Sequence, residues 1–330
     1  MVKRSTRRLL LAVYPAAFCL LMTAGLAGSS SEQELDQLHR ELTVRAPITL
    51  ELAIEQGDVT VLRGHSDELL IRATLKAGAG ADIPADYLQS AVVIEQNNEL
   101  VRIASANDRA SDKLRSELKI AYRISIPEHS RVTSSIEKGN LIVVGIDGPV
   151  SAKARTGSIR VAYVMSDVSL QTGDGDLKVE AVSGHVTAIT SDGNIACSRV
   201  LAGLSAQTGE GDITLAAVGP AEAVVQHGTG RIEVGGARGS LKASTDGGGL
   251  HVKAVPHGDW KLNSTSGAIH IELPRAAGFQ VNAATKDGRI SVKRNDWENP
   301  SPAAKEWAQE INGGGNSIVV YSERGRILIN

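Results

Sequence analysis

From about residue 131 onward, apolar and polar residues alternate in short runs broken by glycine, and the runs recur as TGSIRV, TGDGDLKV, TSDGNIAC, TGEGDITL, HGTGRIEV, TDGGGLHV, STSGAIHI and TKDGRISV. Taking the glycine two residues before the aliphatic as anchor gives Gly139, Gly157, Gly175, Gly193, Gly211, Gly230, Gly248, Gly267 and Gly288, spaced by 18, 18, 18, 18, 19, 18, 19 and 21 residues. Two and four residues after each anchor stand aliphatics such as Leu177 and Val179 or Ile195 and Cys197. Alternation with period two marks a strand. Seven residues before the anchor lies a second apolar column (Val132, Val150, Val168, Val186, Leu204, Ala223, Leu241, Trp260, Val281), and five before it a small one (Ala152, Ala188, Ala206, Ala243, Ala283). A third inward position is expected seven after the anchor, at Ile146, Val164, Val182, Val200, Val218 and Val255.

Two strands per period meet at a glycine because a tight corner needs positive φ or the absence of a Cβ that would strike the next layer. One such unit cannot bury its own apolar face, so neighbours must stack. The expected fold is all-β: a β-solenoid, right-handed and parallel β-helix-like, with coils of about 18 residues. A left-handed hexapeptide helix would show three similar sides, and propeller blades need about forty residues. An early coil, Leu50, Leu52, Ile54, Gly57, Val59 and Val61, fits the same columns. Between it and Gly139 lies an excursion with candidate strands at 91–95, 100–105 and 118–126 and a helix-compatible turn at 84–90, read as a β-rich N-terminal cap. The expected organisation is a signal peptide at 1–27, a linker at 28–43 with a marginal helix carrying Leu35, Leu38 and Leu42, the first coil and cap at 44–131, and solenoid repeats at 132–330. A short helix is expected at 302–311, followed by one more coil (Ile318, Val320, Gly325, Ile327, Ile329) closing the stack.

The signal reading rests on Lys3, Arg4, Arg7 and Arg8 ahead of the apolar stretch Leu9 to Leu26, with Gly25-Leu26-Ala27 as the cleavage site. An uncleaved anchor is the alternative, and membrane contact is expected only in that case. The chain carries 35 Lys and Arg against 37 Asp and Glu; cleavage removes four cations, leaving 31 against 37. Such a surface has no basic excess for phosphate backbones, so no nucleic acid partner is expected. Thirty-four glycines beside ten aromatics fit a thin core of small aliphatics. After cleavage only Cys197 remains, so no intrachain disulfide forms, and its column makes it a small buried group.

Candidate chemistry is sparse. Asp174, Asp176, Asp192, Glu210 and Asp212 line one turn edge, where stacked carboxylates suit calcium, but the spacing departs from the calcium-binding nonapeptide roll and ordinary turn chemistry accounts for them. Glu233, His251 and His270 share an outward column three after the anchor on successive coils, a donor set for zinc or another transition metal, or else a solvent-facing strand surface with incidental histidines. Thr172, Thr190, Thr208, Thr245 and Thr285 form an inward column read as a hydrogen-bonding ladder. No GxSxG elbow, HExxH helix or GxxxxGK[ST] loop is present, and no catalytic residue or cofactor is expected.

The LELAIEQGDVTV coil, the segment ISIPEHSRVTSSIEKGNLIVVGIDGPVSAKARTGSIRV and the closing GGGNSIVVYSERGRILI, in that order, resemble the bacterial putative-adhesin β-strand-repeat family, catalogued as a domain of unknown function, over roughly residues 44–330. The resemblance implies an exported, envelope-associated β-solenoid with no agreed catalytic residues. The functional expectation is a non-enzymatic adhesin-like or envelope scaffold and interaction module, periplasmic, cell-surface or secreted, meeting a cell-surface glycan or an envelope protein. A carbohydrate-active or polysaccharide-binding β-helix and a membrane-anchored envelope-stress component are the alternatives.

Overall fold

The computed structural model describes residues 33–330 except 78–82, 84–85, 107–117, 227 and 295; the signal and anchor readings lie outside the described residues. The repeating chain builds two fourteen-stranded sheets whose strands run mostly parallel. Each period gives one strand to each. Strands leading into the anchor glycine, such as Val150–Thr156, Val168–Asp174 and His185–Asp192, pair in the leading sheet, and strands following it, such as Ile159–Val164, Leu177–Val182 and Ile195–Val200, pair in the trailing sheet. The register is the sequence period itself: Val150 faces Val168, which faces Val186, and Ile159 faces Leu177, which faces Ile195. The core fills the space between the sheets with the predicted inward columns, including Trp260 and Cys197, and burial pushes the Cys197 thiol up to about 12.

The glycine corner owes its residue type to backbone contact. Gly193 has φ 151°, and a Cβ there would lie closer than 3.0 Å to the carbonyl oxygen of Gly175, one coil below. Gly157, Gly211 and Gly248 stand in the same relation to Gly139, Gly193 and Gly230. Only a glycine column lets the corners stack so closely. The ladder then continues around the bend, since Gly157 N–H donates to Asp174 O and Gly175 N–H to Asp192 O. The inward threonines complete it: Thr172, Thr190 and Thr208 donate to the carbonyls of Gly157, Gly175 and Gly193 at 3.0, 3.1 and 3.0 Å.

The opposite corner is set six residues after the anchor by positive φ. Tyr163, Ala181, Arg199 and Ala217 have φ of 57°, 55°, 54° and 52°, and glycine takes the equivalent place at Gly145 and Gly236. This kink turns the next residue inward, at Ile146, Val164, Val182, Val200, Val218 and Ala237. Val255, expected in that column, is exposed, because the chain makes this bend without a positive-φ residue at Ala254. Ala223 also shifts: it pairs with Ala206 in the small column while Ala221 pairs with Leu204, because the bend after Val218 is one residue shorter than in the coil before and the corner before Gly230 is two residues longer.

Both ends depart from sequence order. The excursion strands appear as Val92–Asn97, Leu100–Ser105 and Leu118–Ile126, with one helical turn at Tyr87–Ala91. Leu100–Ser105 and Leu118–Ile126 pair parallel to Thr49–Gln56 and Asp58–Arg63, adding a layer outside the first coil. At the far end, the last coil in sequence does not close the stack. Asn316–Ser322 and Ile327–Ile329 insert between the Trp260–Ser264 and Ile269–Glu272 coil and the Phe279–Thr285 and Ile290–Val292 coil, which is therefore outermost.

Two helix expectations become strands. Gln33–Thr43 pairs antiparallel with Glu68–Ala77, placing Leu38 opposite Ala73 and Leu42 opposite Leu69. Glu306–Ile311 pairs antiparallel with Phe279–Thr285, burying Trp307 and Ile311. In each case the apolar pair is four residues apart, a spacing that puts both on one face of a helix or of a strand. An open sheet edge beside each segment decides for the strand. Trp307 stacks on Trp297, whose ring lies edge-on to Phe279 and beneath the Arg294 guanidinium at 4.2 Å.

The two corners predict opposite responses to substitutions of one methyl group. Gly193→Ala is expected to destabilise the chain by about 2–4 kcal/mol, through a backbone clash that cannot relax without parting two coils. Ala217→Gly, which relieves a left-handed residue, is expected to raise stability by up to about 1 kcal/mol after the unfolded-state entropy of glycine is subtracted. Thermal and denaturant unfolding of the pair checks both signs.

Candidate functional site

The trailing sheet presents its outward column three after the anchor as Glu233, His251 and His270 on adjacent strands, with Glu233 opposite His251 and His251 opposite His270. Identical residues on neighbouring parallel strands project alike, so the two imidazoles stack with centroids 4.8 Å apart and planes inclined by 8°. The carboxylate brought to them is Glu272, two residues beyond His270 on the same strand; Glu233 is exposed on the far side of His251. One ligand atom from each of His251, His270 and Glu272 lies within 4.8 Å of the others.

Further side chains hold this group. Glu272 Oε1 lies 3.1 Å from His251 Nε2, and Lys253 Nζ donates to Glu272 Oε2 at 3.1 Å. Asn330 Nδ2 lies 2.7 Å from His270 Nε2, and its Oδ1 is buried with no hydrogen-bond partner. The Lys253 ammonium, followed by His251, holds the Glu272 carboxyl below the usual carboxylate range. Burial lowers the His270 pKa, the His251 charge adds to this, Glu272 opposes it, and Lys293 and Arg326 lower it further. Glu272, Lys253 and Asn330 share the column five after their anchors. The three-after column alone could not reveal them, although the two-residue offset along a strand, which returns to the same face, was a usable signal.

The acidic turn edge has a different role. Asp176 Oδ1 accepts from Asn194 N–H at 2.8 Å, Asn194 Oδ1 from Asp212 N–H at 2.9 Å, and Asp212 Oδ1 from Arg231 N–H at 2.7 Å. Asn140 and Ser158 continue the same ladder toward Asp58. These oxygens clamp each coil to the next. Asp174, Asp192 and Glu210 stand on the other side of the glycine, with exposed side chains and backbone carbonyls engaged by Gly157, Gly175 and Gly193. A second cluster joins Glu128, His129 and Asp147, in which His129 Nε2 faces Glu128 at 3.3 Å and Nδ1 faces Asp147 at 3.5 Å, while Glu128 also pairs with Arg63.

Lowered pKa values fix the sign of the pH dependence. For His270 the unfolded chain binds the proton more readily, so this contribution to stability is present above its unfolded value near 6.5 and is lost as pH falls through the lowered folded value. For Glu272 it is present above the unfolded value near 4.5 and disappears as pH falls through the folded one. NMR titration is expected to place the His270 midpoint below about 6.5 and to move it upward in His251→Ala. Lys253→Met should raise the Glu272 midpoint, and an unchanged one would remove Lys253 from the account.

None of the curated proteins compared matches the chain significantly. Among solved structures, a "putative adhesin" from Bacteroides fragilis is similar at 9% identity and TM-score 0.41, covering 89% of this chain and 97% of its own. A "putative adhesin" from Parabacteroides distasonis gives 11%, TM-score 0.40, and 89% and 97% coverage. A "putative lipid binding protein" from the same organism gives 12%, TM-score 0.34, and 89% and 97% coverage. The profile of one family spans residues 48–330, from the first coil to the intercalated last one. With its stacked corners and two parallel sheets inside that span, the chain belongs to the Toastrack DUF4097 family.

Proposed function

We propose that the chain is an exported, non-enzymatic, right-handed β-solenoid that works as an adhesin-like or envelope interaction module, binding a cell-surface glycan or an envelope protein through an outward strand face. The observation that carries this reading is on the leading sheet. Thr133, Ser151, Ser169, Thr187 and Ser205 stand exposed on five successive strands in register, repeating at the strand spacing of about 4.8 Å. This flat row of hydroxyls runs beside a shallow trough of about 260 Å³ that Asp167 and His185 help to line. Hydroxyls that both donate and accept, repeated on a rigid backbone, suit a hydroxyl-rich polymer lying along the stack. Rigidity also lowers the ordering cost of binding, because the groups are held in place before the partner arrives.

Among the described residues no helix is long and apolar enough to cross a membrane. Export rests on the N-terminal sequence pattern, and cell fractionation with N-terminal sequencing should find the mature chain outside the cytoplasm beginning at Gly28. A glycan array and an envelope pull-down on that chain should return a ligand whose capture falls at least about tenfold when Ser169 and Thr187 are both replaced by Arg, with the circular dichroism spectrum unchanged. Silence from both screens, or capture indifferent to those substitutions, would remove the hydroxyl row from the account.

A further inference from the structure

We propose that His251, His270 and Glu272 form a binding site for one divalent transition-metal ion of the zinc or copper class on the outer face of the trailing sheet. The three residues offer the borderline donor set such ions prefer, two imidazole nitrogens and a carboxylate oxygen, with ligand atoms within 4.8 Å of one another. Two tetrahedral ligands at about 2.1 Å from an ion stand roughly 3.4 Å apart, so closing the site asks for a movement of about 1–1.5 Å. His251 and Glu272 keep about a third of their side-chain surface exposed, at 34% and 32%, which leaves room for that rotation.

The surroundings are arranged for it. Lys253 occupies Glu272 Oε2 and orients the carboxylate, leaving Oε1, already 3.1 Å from His251 Nε2, free to coordinate. Asn330 supplies a separate indication: its Oδ1 is buried and orphaned, and a half-turn of the amide exchanges it with the Nδ2 now 2.7 Å from His270 Nε2. With that turn the amide oxygen stands beside His270 Nε2 as a fourth donor for the ion. Lys253, Lys293 and Arg326 face the same place and oppose a cation, so the affinity belongs in the micromolar range rather than that of a closed structural zinc site. The Glu128, His129 and Asp147 cluster also brings its ligand atoms within 4.8 Å of one another, but it offers a single imidazole and its Glu128 is already paired with Arg63.

Zinc titration calorimetry on the full chain at neutral pH is expected to give one site with Kd of about 1–10 µM. The histidine ring signals of residues 251 and 270 should shift together in the NMR spectrum. His251→Ala, His270→Ala and Glu272→Gln should each weaken binding about tenfold or more, whereas Glu233→Gln and His129→Ala should leave it unchanged. No binding at about 100 µM zinc, or binding that survives the His251→Ala, His270→Ala double variant, overturns the proposal.

Discussion

The structure depends on how closely two backbones approach at the glycine corner. There the Cα of one coil sits against the carbonyl of the coil beneath, so that no side chain fits, and the peptide hydrogen bonds run on around the bend. Everything else is adjusted to that contact. The corner fixes the rise per coil, the rise fixes the register, and the register lays valine on valine and threonine on threonine. Because a buried carbonyl must find a donor, Thr172, Thr190 and Thr208, three residues before their corners, each supply one from the core side to the corner glycine one coil below. On the solvent side, the Asp, Asn or Ser after the glycine accepts the N–H of its counterpart one coil on. Asp176 and Asp212, which suggest ion binding in one dimension, are thus hydrogen-bond acceptors in three.

A stack made this way exposes strand edges at both ends, and the two ends share one solution. The outermost parallel layer is out of sequence order, and an antiparallel strand lies beyond it on both sheets at one end, Val92–Asn97 and Glu68–Ala77, but only on the leading sheet at the other, Glu306–Ile311, where Ile290–Val292 remains the edge of the trailing sheet. Reversing direction interrupts the parallel template on which further coils would add. The few large buried rings gather at the two ends, Tyr87 and Tyr122 at one and the tryptophans with Phe279 at the other. Trp297, Trp307 and Phe279 pack on one another where the coil is no longer narrowed by a neighbour, and Trp260 lies one coil inside the inserted one. A shortage of aromatics in the composition is therefore a shortage along the middle of the stack.

The candidate sites follow from the same periodicity. A fold that repeats its backbone repeats its outward positions, so any residue type recurring at the period becomes a row. The hydroxyl row of the leading sheet and the histidine pair of the trailing sheet are two outcomes of one rule, and neither needs a cleft. The histidine pair lies next to the inserted last coil, which brings Asn330 beside His270 from sixty residues away in sequence.

Sequence alone determined the repeat, the two strands per period, the inward columns and the glycine corners, because each coil presents the same local problem eighteen residues later. It also placed His251 and His270 on one face. It could not decide Gln33–Thr43 or Glu306–Ile311, since apolar residues four apart satisfy a helix and a strand equally and only an open sheet edge separates the two. Nor could it order the end coils, since any coil matching the columns can pair with any other. Tertiary structure chose the order, and with it the partners of His270: Glu272 along its own strand, and Asn330 on the strand that slides in beside it. Local spacing specifies a periodic backbone, whereas its interruptions are settled by whichever long-range pairing buries the last exposed edge.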